Sequence, residues 1–303
     1  MFRAVISPLT DPRMIDWKLR WLRDLFYTRS QHLAEIRKLR RRLMKANRLI
    51  RRDLEQIAEL QRKLLPPENH SIPGITLAAS YTPFVSSGGD YYDIVPLLPR
   101  AENAGQLAIY PRWGAIIADV SGHGPAAAVE VAMLDAILRT YPNLSGGPAG
   151  VLNYANRHFF SRQIRGSFIT AFAANYDPQT SRLTYTNAGH NPPLLKRTGG
   201  PLVTEFLDAS DGIPLGVDPT HTWVNVEIPM ATGDLLVLYT DGVTEARAST
   251  GEHFGPERLK ALIETSDPEP QTILTALKQA LVHHRQGTVP KDDQTIVVIQ
   301  INP

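Results

Sequence analysis

The sequence contains no cysteine. That single absence excludes a disulfide scaffold, thiolate zinc, iron–sulfur clusters and a cysteine nucleophile. Any metal must be held by Asp, Glu, His or backbone oxygens, and such hard donors suit Mg or Mn. No apolar run approaches the roughly 18 residues of a membrane-spanning helix. The first residues, MFRAVISPLTDPRMIDW, lack the apolar core of a signal peptide. A cytoplasmic protein with no membrane span is therefore expected. Helix breakers are missing from one long stretch: neither Pro nor Gly occurs between Met14 and Leu65.

What is present is ordinary in amount and unusual in distribution. The 303 residues are 43% hydrophobic and 20% charged, which excludes a wholly disordered chain. The net charge of +2 hides two opposed regions. Trp17–Leu64 holds 15 basic and 5 acidic residues, whereas Leu65–Pro303 holds 15 basic and 23 acidic. A basic arm is thus joined to an acidic body.

The arm has a 3-then-4 apolar rhythm. The seam runs Leu19, Leu22, Phe26, Arg29, Leu33, Ile36, Arg40, Leu43, Asn47, Ile50, Leu54, Ile57, Gln61, Leu64, and ten of these fourteen positions are apolar. This is a heptad pattern, and so narrow a stripe needs a partner helix. Asn47 at an a position favours a two-stranded parallel register. The expectation is a homodimer through residues 19–64; the plainer alternative is a helix packed on its own domain. The cluster Arg37, Lys38, Arg40, Arg41, Arg42, Lys45 lies inside the heptads, where it reads as a solvated outer face, so no nucleic-acid partner is expected. Pro66-Pro67 ends the helix. The expected division is an N-terminal segment 1–16, a coiled-coil or linker helix 17–65, and one domain over 66–303.

The body reads as strands first and helices second. Strands are expected at Ile75–Tyr81, Tyr91–Leu97, Trp113–Val120, Phe168–Tyr176, Arg182–Thr186, Leu194–Lys196, Trp223–Ile228, Asp234–Thr240 and Thr295–Ile301. Helices are expected at Pro125–Arg139, Val151–Gln163, Pro256–Glu264 and Gln271–His283, with Gly146–Gly150 as a loop. Segregated helices and antiparallel strands without βαβ alternation indicate an α+β fold.

The acidic residues fall at strand ends beside glycines. Gly88-Gly89-Asp90 precedes one strand, and Asp119 closes the apolar run Trp113–Ala118. Asp241 ends Leu235–Tyr239 and is followed by Gly242; Asp292 and Asp293 precede the last strand. Carboxylates so placed can converge, since glycines admit close approach of backbone and ions. Two divalent ions held by such oxygens can clamp a phosphoryl group. Taken singly, each Asp-Gly also reads as a plain turn.

Six segments in order resemble the PPM-type metal-dependent protein phosphatases, in their SpoIIE/RsbU branch. They are YTPFVSSGGDYYDIVPL from Tyr81, GAIIADVSGHGPAAAVEVAML from Gly114, FITAFAANYDPQTSRLTYTNAGHNPPLL from Phe168, GIPLGV from Gly212, GDLLVLYTDGVTEAR from Gly233 and KDDQTIVVI from Lys291. QIAELQRKLLPPE from Gln56 resembles that branch's linker. The resemblance implies two stacked antiparallel β-sheets flanked by helices, preceded here by the coiled-coil helix. It implies two Mn or Mg ions and hydrolysis of phosphoserine or phosphothreonine on a regulatory protein, of the STAS anti-anti-sigma type. It implies metal ligands at Asp90, Asp119, Asp241 and Asp292, with Asp119 bridging the ions and the Val120 carbonyl as a further ligand. Asp93 and Asp293 are nearby carboxylates that orient water, Asp93 being equally readable as a surface carboxylate. His123 stands where the branch often has Lys, and a histidine there can act as general acid. His190, in Ala188-Gly189-His190-Asn191-Pro192, reads as a structural turn residue, and His283-His284 as a solvated helix end. The segment Pro99–Arg112 is expected to be a surface loop. The helix is expected to receive an activating partner protein. The competing reading is a catalytically silent phosphatase-like scaffold that binds a phosphoprotein.

Overall fold

The computed structural model describes residues 12–67, 71–97, 112–142, 146–163, 166–200, 203–210 and 212–302. The chain forms two compact units, Met1–Asp53 and Leu54–Pro303. The described part of the first is helical, within α1 (Pro12–Arg62). The stretch without Pro or Gly, rich in Leu, Arg, Lys and Ala, has the composition of a long helix. Its expected seam is solvent-exposed, with Leu19, Phe26 and Leu43 each more than 60% open.

The second unit contains two five-stranded antiparallel sheets. One has the order β1-β10-β9-β6-β7 and the other β2-β3-β4-β5-β8. The first is built from β1 (Ile75–Thr82), β6 (Leu194–Arg197), β7 (Val203–Phe206), β9 (Leu235–Tyr239) and β10 (Gln294–Ile301). The second is built from β2 (Asp90–Leu97), β3 (Arg112–Val120), β4 (Ile169–Asp177), β5 (Arg182–Ala188) and β8 (Val226–Pro229). α2 (Pro125–Arg139) and α3 (Gly147–Phe160) cover the outer face of the second sheet. α5 (Pro256–Thr265) and α6 (Pro270–Arg285) cover the outer face of the first. A single turn, α4 (Asp241–Thr244), follows β9.

This layering explains the continuous apolar runs. A strand buried on both faces has no polar side to alternate with. In β3, Ala115 and Ile117 enter the cluster between the sheets, while Ile116, Ala118 and Val120 pack towards α2 and α3. In β10, Val297, Ile299 and Ile301 lie between the sheets and Ile296 and Val298 face α5 and α6. The helices present matching stripes: Val131 and Leu134 of α2, Leu152, Ala155 and Phe159 of α3, and Ile273, Leu277 and Leu281 of α6. Truncating Leu134 or Leu277 to Ala would cost about 2–5 kcal/mol at such closed sites.

Some expectations differ from the structure in their limits. α3 begins at Gly147, inside the expected loop Gly146–Gly150, because Pro148 sits in its first turn, where a missing N–H costs nothing. The strand expected over Trp223–Ile228 is paired only from Val226, as the Trp223 indole is buried against α3 and packs edge-on to His221. β7 is a four-residue edge strand that the sequence reading lacked. The expected loop Pro99–Arg112 falls almost wholly outside the described residues; only Arg112 is seen, opening β3. The end of the expected seam also has a different neighbour: Ala58 and Gln61 are buried, and Leu64 and Leu65 pack against the core of the second unit.

Candidate metal centre

Strand periodicity brings the acidic residues together. Tyr92 and Ile94 of β2 lie between the sheets, so Asp90 points to that side. Ala115 and Ile117 place Asp119 on the same side of β3. Antiparallel pairing sets Asp90 directly opposite Asp119. Like charges opposed in this way destabilise a sheet, and their retention points to a task other than stability. From the other sheet, Thr240 and Asp241 directly follow β9, and Asp293 and Thr295 stand at the start of β10. The sandwich therefore presents carboxylates from both sheets at one end.

Each is held in its own way. Asp90 is buried, and its Oδ2 accepts hydrogen bonds from Thr240 Oγ1 at 2.8 Å and Thr295 Oγ1 at 2.6 Å. Asp293 is buried too; its Oδ1 accepts from the Phe84 N–H at 2.7 Å and its Oδ2 from the Gly89 N–H at 2.6 Å. The Asp293 N–H donates to Asp292 Oδ1 at 2.9 Å. Asp292 is exposed and Asp241 half-buried. The glycines are required by proximity: a Cβ on Gly88 would strike the Asp293 carboxylate, and one on Gly242 would strike the Asp293 carbonyl oxygen.

Electrostatically the site is a set of anions without enough compensation. Burial first, then repulsion from Asp90, Asp241, Asp292 and Asp293, pushes the Asp119 carboxyl up to about 9. Burial, with repulsion from Asp292 and Glu245, pushes Asp241 up to about 6. Burial also raises Asp90 well above the usual carboxylate range, against the lowering effect of its Thr295 bond. Asp293 is raised by burial and held back by its two backbone bonds.

The donor set is all oxygen, partly buried and mutually repulsive, which suits a hard divalent cation. Among the described residues, no three His, Asp or Glu side chains close on one point at ligand spacing. The carboxylates are close enough to repel one another and are not drawn onto a common centre. The Val120 carbonyl lies beside Gly89, and the Val120 N–H donates to the Gly89 carbonyl at 3.1 Å.

The other candidates fall differently. His123 is exposed, stacks edge-on with Phe84 at 5.4 Å between ring centroids, and exerts an attraction on Asp293. Asp93 points away, as its odd offset from Asp90 requires, and forms an ion pair with Arg139 at 3.8 Å on the helix-covered face. It lines a cavity of about 410 Å³ there, on the face of the sheet opposite to Asp90. A second recess, of about 300 Å³, adjoins Gly242 and Asp292 and includes Arg247 and Lys291. His190 is buried; its Nε2 hydrogen-bonds to the Tyr239 carbonyl at 3.1 Å and its Nδ1 to Thr170 Oγ1 at 2.9 Å. A carbonyl can only accept, so Nε2 carries the proton and Nδ1 accepts from Thr170. His283 and His284 end α6, where His284 meets the Glu252 carbonyl. Sequence reasoning missed Thr240, Thr295 and Gln61. The first two had a signal, a hydroxyl one residue before Asp241 and two after Asp293; Gln61 had only its polarity within an apolar seam.

Comparison with known proteins agrees with this architecture. The profile of the family described as Stage II sporulation protein E (SpoIIE) matches residues 111–302. Phosphoserine phosphatase RsbU of Bacillus subtilis is 27% identical over 252 residues, covering 83% of this chain and 70% of that protein. Protein IcfG of Synechocystis sp. is 25% identical over 279 residues, 83% of this chain, which spans only 42% of that relative's length. Among solved structures, the SiaA-PP2C domain of Pseudomonas aeruginosa matches with a TM-score of 0.68 at 18% identity, covering 85% of this chain and 99% of that one. At that identity the likeness is one of fold. With the profile spanning well over half its length, the chain belongs to the SpoIIE family.

Proposed function

We propose that this chain is a metal-dependent protein phosphatase that removes phosphate from serine or threonine of a regulatory protein. The observation that carries the reading is that two sheets bring Asp90, Asp119, Asp241, Asp292 and Asp293 to one end of the sandwich, Asp90 directly opposite Asp119, close enough to repel one another. Asp90, Asp119, Asp241, Asp292 and the Val120 carbonyl are the ligands in this reading. When bound, two Mn or Mg ions would neutralise the phosphate and supply a nucleophilic water at neutral pH. The chain's own residues hold that arrangement. Thr240 and Thr295 fix Asp90, the Phe84 and Gly89 amides fix Asp293, and exposed His123 at the rim is the candidate proton donor to the leaving serine oxygen. A family relative named as a phosphoserine phosphatase supports the substrate class. A STAS-type phosphoprotein in a partner-switching pathway is the specific substrate proposed.

The helical arm is the proposed control element. Its seam is exposed from Leu19 to Ile50, which supports a parallel homodimer with a second copy or engagement by an activating partner. Sedimentation as a monomer at micromolar concentration would remove the dimer. Among the described residues no helix is long and apolar enough to cross a membrane.

The testing experiment is Mn-dependent hydrolysis of a small aryl phosphate by the chain and by Asp119→Asn. Activity that requires Mn and falls at least about 10³-fold in the variant, roughly 4 kcal/mol in the barrier, is expected. A chain that binds Mn yet shows no Mn-dependent turnover in either form would instead favour the silent scaffold.

A further inference from the structure

Gln61 lies in the last turn of α1 and is 3% exposed. Its carboxamide grips one residue from both sides. Nε2 donates to the Gly88 carbonyl at 2.8 Å, and Oε1 accepts from the Gly88 N–H at 3.0 Å. Both polar groups of a buried backbone unit, and both of a buried side chain, are thereby satisfied together.

Gly88 lies two residues before Asp90 and against the Asp293 carboxylate. The next residue, Gly89, donates its N–H to Asp293 and accepts at its carbonyl from the Val120 N–H. The residue after that is Asp90. The segment Ser86-Ser87-Gly88-Gly89 has little means of ordering itself: it ends in two glycines, whose backbone freedom is costly to fix. Nor can Gly88 accept a side chain, because the Asp293 carboxylate occupies that space. The order is imposed from outside, by Asp293 and Val120 at Gly89 and by Gln61 at Gly88.

We infer that Gln61 is a positioning residue for the metal centre: by clamping Gly88 it fixes Asp90, Asp293 and the Val120 backbone in the register that accepts a divalent cation. This rests on the metal-centre reading and deepens it. It assigns the end of the arm a specific contact through which its position governs cation affinity. It also accounts for a polar residue at a seam position, since Gln61 faces Gly88 rather than a partner coil.

The test uses the full chain and Gln61→Met, which keeps the length of the side chain and removes both hydrogen bonds. Mn binding is measured by calorimetry, and turnover of an aryl phosphate is followed as a function of Mn. Losing a group that orients metal ligands costs about 10–100-fold in metal affinity. The Mn dissociation constant should therefore rise at least about tenfold, while kcat at saturating Mn recovers to within about threefold of the parent. A helix-packing role alone would lower the melting temperature and leave the Mn constant unmoved. A folded Gln61→Met with an Mn constant within twofold of the parent overturns the inference. Asp119→Asn is titrated alongside: if it binds Mn like the parent, the metal-centre reading itself fails, whatever Gln61→Met does. Should Gln61→Met not fold, proton exchange of the Gln61 carboxamide is followed by NMR in the parent chain with and without Mg. Exchange slowed several-fold by Mg supports the clamp, and unchanged exchange contradicts it.

Discussion

Asp90 and Asp93 lie three residues apart on one strand and have opposite surroundings. On the helix-covered face, Asp93 shares Arg139 with Asp135. Arg139 Nε donates to Asp135 at 2.9 Å, and the Tyr91 hydroxyl donates to the same carboxylate at 2.8 Å. A guanidinium and a phenol there answer two carboxylates. On the face between the sheets, Asp90 meets two threonine hydroxyls and the repulsion of Asp293 and Asp241. The first cluster is complete without a ligand. The second holds charges that a folding chain would avoid unless an external cation offsets them. The contrast separates a structural use of aspartate from the metal-holding one proposed for Asp90 more clearly than any motif does.

The comparison can be broken most sharply by removing one charge from each side. Asp241→Asn should lose Mn-dependent hydrolysis at least about 10³-fold. Asp93→Asn should keep it within about threefold, as measured by initial rates at saturating Mn. The same pair should also differ without metal. Neutralising Asp241 relieves repulsion and should leave the melting temperature unchanged or raised. Arg139→Met removes the cation that Asp135 shares, and should cost about 1–2 kcal/mol, discounted because Arg139 is largely exposed. Chemical denaturation would measure it, with activity per folded molecule retained.

A third probe concerns His190, which belongs to neither cluster. Burial pushes its imidazole down to about 4. The unfolded chain therefore binds a proton that the folded chain refuses between about pH 6.5 and 4. The stability this gives is fully present above about pH 6.5 and is lost as pH falls towards 4. It amounts to about 3 kcal/mol as an upper figure. Melting temperature followed from pH 7 to 4.5 should fall more steeply in the parent than in His190→Asn, after correction for the variant's lower starting point. Equal slopes would show that His190 is not buried as the neutral tautomer.

Much of this was legible in the sequence because the strands are buried on both faces. WGAIIADV, LLVLY and TIVVI read as apolar runs of strand length whose ends carry Asp119, Asp241, Asp292 and Asp293, and the family resemblance turned such turn-like residues into a candidate ligand set. The period of two alone would have sent Asp90 and Asp93 to opposite faces, since their separation is odd. What could not be read was set by partners distant in sequence. Whether Asp93 is compensated depends on Arg139, 46 positions away, and the loop carrying Asp90 depends on Gln61, 27 positions back. The glycines of Gly146–Gly150 misled for a local reason: a proline in the first turn tolerates the neighbours that usually stop a helix.

The central claim is that the uncompensated carboxylates are a divalent-cation site and the compensated ones are not. Its most direct test is calorimetric titration of Mn into the parent chain, Asp119→Asn and Asp93→Asn. The account predicts saturable binding in the parent, none or at least about 100-fold weaker binding in Asp119→Asn, and near-parental binding in Asp93→Asn. Equal Mn affinity in the parent and Asp119→Asn, or loss of binding in Asp93→Asn alone, would contradict it.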